Sequence, residues 1–352
     1  MPAKNKTKKT AAKPFYRKKL FIWGAAVVVV VAAILLAFRV SPWPGALVIR
    51  VVFNQGGGDT LKAMQEKLPN YPNVAMLKDQ AYRQHDTDAR LDVYIPKSAR
   101  ADQPLPIVVW THGGAWLSGD KKDAGPYFNR LADQGFVVVS VNYSLAPEKT
   151  YPTAVHQLND AHAYIQAHAA EYKGDPRKIV LAGDSAGAQL SSQLAALATN
   201  PAYAKEVGIQ PALKPEQLAG VMLFCGIYRM EGLATPDPTL PKLVGWGDNV
   251  AVWAYSGSSD MSNPLIRQMS AYYHVSQDFP DTFITGGNGD PLTEAQSKPF
   301  AEKLSSLNVA VTPLFYPKDH TPSLPHEYQF TFNNDGEKAF EQTVRFLQAT
   351  TK

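Results

Sequence analysis

Lys178-Ile179-Val180-Leu181-Ala182 is an apolar run with the character of a buried strand, and Ala188 to Leu197 is rich in helix formers. Between them stands Gly183-Asp184-Ser185-Ala186-Gly187. A strand that passes straight into a helix through five such residues has few backbone solutions. The turn must be sharp, the positions flanking the serine must be small, and glycine tolerates the dihedrals involved. Ser185 is then pushed out at the end of a sheet, beside the positive end of the following helix. An ordinary turn serine needs neither the preceding strand nor the following helix. With both present, Ser185 is a candidate nucleophile.

About seventy residues earlier, Ile107-Val108-Val109-Trp110-Thr111 runs into His112-Gly113-Gly114-Ala115-Trp116. A nucleophilic serine needs backbone N–H groups aimed at the oxyanion of a tetrahedral intermediate. A glycine pair after a strand supplies them without side-chain obstruction. The amides of Gly113, Gly114 and Ala186 are the expected hole. His112, at the start of that loop, is expected to orient it by hydrogen bonding. A bare glycine turn is the alternative, and the second motif at the right chain separation speaks against it.

With these two motifs the chain resembles the hormone-sensitive-lipase-like and carboxylesterase (BD-FAE-like) branch of the α/β-hydrolases. Asn142-Tyr143-Ser144-Leu145-Ala146-Pro147-Glu148 and Tyr151-Pro152-Thr153-Ala154 look like further segments of that family. So do Asn263-Pro264-Leu265 and Phe283-Ile284-Thr285-Gly286-Gly287-Asn288-Gly289-Asp290-Pro291-Leu292. The likeness covers roughly residues 80 to 350. Two departures stand out: Gly-Gly-Ala-Trp where many members carry a third glycine, and Ser144 where arginine is common. The first implies a narrower or differently shaped acyl site, and the second a change confined to a structural ion pair.

The resemblance implies a serine–acid–histidine triad in that chain order. Asp290 is the expected acid, since it follows the strand Thr282-Phe283-Ile284-Thr285 in a glycine-rich turn; Asp260, Asp278 and Asp281 all precede the strand's end. The base must follow the last strand, which leaves His320 and His326. In similar esterases an aromatic residue closely follows the base and a final helix begins about ten residues on. His326-Glu327-Tyr328 matches that register with a helix over Gly336 to Leu347, so His326 is preferred and His320 is the alternative. His156, His162 and His168 precede the serine, and their spacing of six scatters them around a helix. No metal and no organic cofactor is expected.

Residues 20–38 form an uncharged apolar run of 19, close to the roughly 20 that cross a hydrocarbon core. Residues 1–19 before it carry eight basic residues and no acid. That asymmetry predicts a cytoplasmic tail, a transmembrane anchor, and a body on the extracytoplasmic side. A cleaved signal peptide is the rival reading. Of 35 basic residues, 27 remain beyond the tail against all 31 acidic ones, a net near −4 that argues against a nucleic-acid partner. Cys225 is the one cysteine, set in an apolar strand, and is expected to be a buried, inert thiol.

Residues 39–80 read as a juxtamembrane section, with Asp59 as N-cap of a helix after Gly56-Gly57-Gly58, and with a possible role in covering the site. From residue 81 to 352, apolar runs at 90–95, 106–110, 136–141, 178–182, 219–224, 282–285 and 309–316 alternate with helical stretches. The nearly continuous Val/Ile runs suit parallel strands buried on both faces. The expectation is one α/β-hydrolase domain, a mostly parallel sheet flanked by helices. Trp246, Trp253, Tyr255, Tyr272 and Tyr273 are candidates for lining an acyl or alcohol pocket. The reading as a whole is a membrane-anchored serine esterase acting on small-molecule esters of short acyl chain. An amidase or peptidase on the same scaffold, and a non-catalytic adhesion domain of hydrolase fold, are the alternatives. Oligomeric state is not legible.

Overall fold

The structure is a computed structural model describing residues 15–234 and 242–352; most of the basic tail, from Lys4 to Lys13, lies outside the described residues. Two compact units divide at residue 44. The first holds helix α1, Phe15–Val40, whose Phe21–Val40 portion is 20 residues long with mean hydropathy 2.8 and no burial. Among the described residues it is the one helix long and apolar enough to cross a membrane. Helix α2, Trp43–Lys67, begins at the junction.

Eight strands make one sheet: β1 Val74–Ala81, β2 Arg90–Pro96, β3 Leu105–Thr111, β4 Val137–Val141, β5 Gly174–Asp184, β6 Leu218–Phe224, β7 Thr282–Gly286 and β8 Val311–Phe315. Their order is β1-β2-β4-β3-β5-β6-β7-β8. The β1–β2 and β2–β4 pairs are antiparallel; every pair from β4 to β8 is parallel. Alternation along each strand divides its side chains between two cores. Ile107, Val109 and Leu181 point to one face, where helices α4 (Thr153–His168) and α5 (Ala186–Thr199) bury Leu158, Ile165, Leu190 and Leu194. Val108, Trp110 and Val180 point to the other, against Phe128 and Leu131 of α3 (Gly125–Asp133) and Phe340 and Leu347 of the final helix, Asn334–Thr350. Fully burying one such side chain stabilises the fold by about 1.5–3 kcal/mol. Both faces being covered, the middles of the central strands are apolar on both sides, as in Ile107–Trp110 and Ile179–Ala182.

The structure departs from the sequence expectation at the N-terminal side. Val74–Ala81 is a strand of the sheet, so the sheet begins ahead of residue 81. It is an edge strand with Lys78 and Asp79 in it and a register shift between Leu77 and Gln80, so no clean alternation marks it. Asp59 is not an N-cap, because α2 runs unbroken from Trp43 through Gly56-Gly57-Gly58 to Lys67. Anchoring of its ends outweighs the weak propensity of three glycines. Ala46 and Met64 are fully buried, and Arg50 donates from Nε to Leu117 O and from Nη2 to Ala146 O, both at 2.6 Å. The same guanidinium grips both oxygens of Glu148 at 2.6 Å. That pair, with the Arg50 bond foremost, holds the Glu148 carboxyl below its usual range.

Candidate active site

Ser185 sits between β5 and α5 with φ +51° and ψ −119°, a strained conformation for a residue with a side chain. Backbone crowding holds it there. A Cβ on Gly183 would come within 2.5 Å of the Gly187 backbone, and one on Gly187 would run into the Thr111 carbonyl. Ser185 N–H donates to Phe224 O at 2.8 Å, fastening the turn to the neighbouring strand. The serine is 8 % exposed, at the floor of a cavity of about 880 Å³.

Asp290 and His326 come together: Asp290 Oδ2 lies 2.9 Å from His326 Nδ1, and Asp290 is 3 % exposed. Asp290 Oδ1 accepts from Leu292 N–H at 3.0 Å. Both residues line the cavity that holds Ser185. Their loops are fastened by Asn288, which the sequence reading passed over. Its Oδ1 accepts from Leu324 N–H at 2.9 Å and its Nδ2 donates to His320 O at 3.0 Å. Gly289 N–H adds a 2.9 Å bond to Leu324 O. His320 is elsewhere: its Nε2 is 3.0 Å from Asp335 Oδ2, and it does not line the cavity. An Asn side chain within a turn reads as turn chemistry in sequence, so its second role left no signal.

Burial lowers the pKa of His326, but the hydrogen bond and charge of the Asp290 carboxylate oppose it, and the balance is upward. Cys225 follows β6 and is 1 % exposed; burial pushes its thiol up to about 11, leaving it protonated at neutral pH. Cys225, Asp290 and His326 offer ligand atoms within 4.8 Å of one another, the one such trio among the described residues. The Asp290–His326 bond already engages two of its members, and a protonated thiol is a poor ligand.

The glycine loop corrects the sequence assignment. Gly113 N–H donates to Asp184 Oδ2 at 2.8 Å, so this amide is taken and cannot face an oxyanion. The buried carboxylate of Asp184 needs that donor, and its other oxygen accepts from Trp110 Nε1 at 2.7 Å. Burial, with Glu327's charge adding to it, raises the Asp184 carboxyl to about 7, against the pull of these two donors. Beyond Gly113, the chain turns through Gly114 (φ +103°), Ala115 (φ +53°) and Trp116 (φ +61°). Among the described residues, the amides of Gly114 and Ala115 have no acceptor, and both residues line the cavity. Ala186 opens α5, where a first-turn amide has no partner within its own helix. His112 behaves as the sequence suggested: its Nδ1 is 2.8 Å from Gly113 O and its ring stacks on Tyr143 at 4.4 Å.

Trp116 is fully buried against the cavity, stacked on Tyr255 at 4.9 Å and donating to Gln189 Oε1 at 3.0 Å. Ser144 sits in a polar network, donating to Asp88 Oδ2 at 2.7 Å and accepting from Gln157 Nε2 at 2.7 Å. None of Trp246, Trp253, Tyr255, Tyr272 and Tyr273 lines the cavity. The helix Lys242–Ser256 instead turns Val244, Asp248 and Ala251 inward, at helical spacing. Asp248 is half-buried there, and its carboxyl is raised to about 6 by burial, against the opposing charge of His326.

A mostly parallel sheet with a strained serine between strand and helix, and an Asp–His pair on the loops after later strands, defines an α/β-hydrolase. The sequence model of the BD-FAE family matches residues 91–304, more than half the chain, and the chain belongs to that family. The carboxylesterase NlhH of Mycobacterium tuberculosis is 41% identical over 252 residues, 69% of this chain and 72% of that one. From the same organism, the probable carboxylic ester hydrolase LipM is 29% identical over 262 residues, 72% of this chain and 57% of LipM. This chain therefore spans a little over half of LipM. The crystal structure of esterase B from Lactobacillus rhamnosis HN001 superposes with a TM-score of 0.75 at 19% identity, covering 88% of this chain and 96% of that one. That likeness is one of fold.

Proposed function

We propose that this chain is a serine hydrolase of carboxylic esters, with Ser185 as nucleophile, His326 as its base and Asp290 as the orienting acid. The observation that carries the reading is the 2.9 Å Asp290–His326 bond at the rim of the cavity on whose floor Ser185 is strained outward. Asp290 fixes the imidazole so that Nε2 is the nitrogen left to take the serine proton. Ser185 Oγ attacks the ester carbonyl, and the developing oxyanion is held by the amides of Gly114, Ala115 and Ala186. The imidazolium protonates the leaving alcohol, and water then repeats the sequence to free the acid. NlhH and LipM, named as a carboxylesterase and a probable ester hydrolase, support the substrate class. Trp116, buried against the cavity, supports a short acyl slot. The basic tail and the apolar helix Phe21–Val40 support a single-pass anchor with the catalytic domain on the extracytoplasmic side.

A fluorophosphonate probe tests the chemistry. It should label Ser185, and His326→Ala should abolish labelling and turnover while His320→Ala keeps most of both. Labelling of another residue, or the reverse histidine pattern, would overturn the assignment. A panel of p-nitrophenyl esters and arylamides separates the esterase from an amidase, with esters of two to four acyl carbons expected to be fastest. Protease added to spheroplasts should digest the body; protection until the membrane is lysed would reverse the orientation.

A further inference from the structure

Apolar side chains face solvent on the first half of α2. Leu47 is 46 % exposed, Val48 49 %, Val51 67 %, Val52 59 % and Phe53 44 %. The helix is not free to roll them inward. Ala46 and Ile49 already fill its buried face, Arg50 is clamped to Glu148, and Gly45 abuts Val250 and Trp246. Beyond Phe53 the exposed positions change character: Asn54, Gln55, Lys62, Gln65, Glu66 and Lys67. The first turn of the helix Lys242–Ser256 repeats the feature, with Leu243 73 % and Val244 40 % exposed. Both sets converge on one place, because Val52, Phe53 and Val244 line the cavity that holds Ser185 and His326. An apolar rim around a catalytic mouth is a surface built to be covered.

We infer that this rim docks on a lipid surface and that the cavity takes short-acyl esters of lipophilic alcohols from that surface. The chain itself names the occupant. The apolar span ends at Val40, seven residues before Leu47, a reach of at most about 25 Å of extended chain. No acidic residue occurs before Asp59, so neither the span nor the exposed face carries a charge that anionic lipid would repel. A stretch of helix with an apolar face and no acids, as in the first half of α2, is suited to lie in a bilayer interface. The acyl end of the substrate meets buried Trp116, while the alcohol end extends past Val52, Phe53 and Val244 toward the lipid. The substrate class rests on the ester-hydrolase reading above; the docking does not.

The test uses the full-length protein in phosphatidylcholine–phosphatidylglycerol vesicles, with decyl butyrate in the bilayer and p-nitrophenyl butyrate in the water. The variant L47Q/V48Q/V51Q/L243Q alters only exposed residues outside the cavity lining. It should hydrolyse decyl butyrate at least about tenfold more slowly and stay within about twofold of wild type on p-nitrophenyl butyrate. Equal rates of variant and wild type on decyl butyrate would overturn the inference. A second measurement needs no activity. A fluorophore on Val51→Cys should be quenched by nitroxide-labelled lipid, and one on Lys62→Cys should not. An unquenched probe at 51, or lipid-independent cross-linking of two chains through that position, refutes docking. Wild type inactive on both esters, with position 51 quenched, would sink the ester reading and leave the docking intact.

Discussion

Where β3, β5 and β6 end, main chain packs on main chain: a Cβ at Gly187 has no room beside Thr111, and Ser185 N–H is tied to Phe224 O. Over the cavity, α2 is held in another way, by Arg50 reaching two carbonyls and a half-exposed glutamate. The floor is over-determined and its groups are placed by the sheet. The cover rests on a few side chains, one of them in solvent. Chemistry that needs sub-ångström placement is built where the backbone is crowded, and substrate access is built where it is not. Substitutions of the reacting groups on the floor should therefore lose activity without stability, and those on the cover the reverse.

The sharpest break between the two should come from Ser185→Ala, which removes the nucleophile and fits the strained turn no worse than serine. Turnover of p-nitrophenyl butyrate should fall by at least about a thousandfold, with the thermal midpoint little changed. Residual activity above a thousandth would show that another group attacks. Asp290→Asn comes next, with a loss of about 10³–10⁴ in kcat through a misoriented imidazole. It also moves a pH limb. Only neutral His326 accepts the serine proton, so kcat/KM climbs as pH rises through the imidazole's pKa. With the folded pKa held upward, the wild-type midpoint should lie above the ordinary value of about 6.5. Any stability from the Asp290–His326 pair is full below about 6.5 and lost as pH rises through the folded value. The variant's limb should shift down; an unshifted limb would remove Asp290 from the role.

Asp184→Asn probes the floor without touching the reacting groups. An amide can accept from Trp110 or from Gly113 but turns its NH₂ toward the other, leaving a buried donor unmet at about 1–3 kcal/mol. Activity should drop about 10–100-fold through the displaced glycine loop, and unchanged kinetics would show the loop to be held some other way. Arg50→Ala should be the mildest in activity, within about threefold on a small soluble ester. Its stability loss is set at about 1–2 kcal/mol, reduced from what a buried clamp would give because Glu148 is 44 % exposed. A collapse of activity on p-nitrophenyl butyrate would break the distinction between floor and cover.

That same distinction marks what could be read from sequence. Strands β2 to β7 announce themselves as apolar runs because both sheet faces are covered there, and the serine turn because small residues are forced at that point. The register of His326 against the final helix separated it from His320. The cover left weaker traces. Arg50, Asn288 and the inward face of Lys242–Ser256 act through partners some 30 to 98 residues away or through helix rotation, which spacing alone does not fix. Gly113 misled for a related reason. Its amide looks free until Asp184, 71 residues on, is folded against it. Aromatic residues of the 246–273 stretch drew attention by size, yet helix phase turned Val244 and Asp248 inward instead.

Gly56-Gly57-Gly58, in the middle of α2, bear on how this molecule can change over generations. A side chain at Gly56 or Gly58 would meet nothing within 4 Å, and one at Gly57 only Asp123 Oδ2 at 3.8 Å. Replacing any of them by alanine should strengthen the helix by up to about 1 kcal/mol. Stability is thus within reach at three adjacent codons without a steric obstacle. Gly56 and Gly57 also line the cavity, so each gain would narrow its wall. The stretch is a place where width of substrate and sturdiness of the fold are exchanged one methyl group at a time.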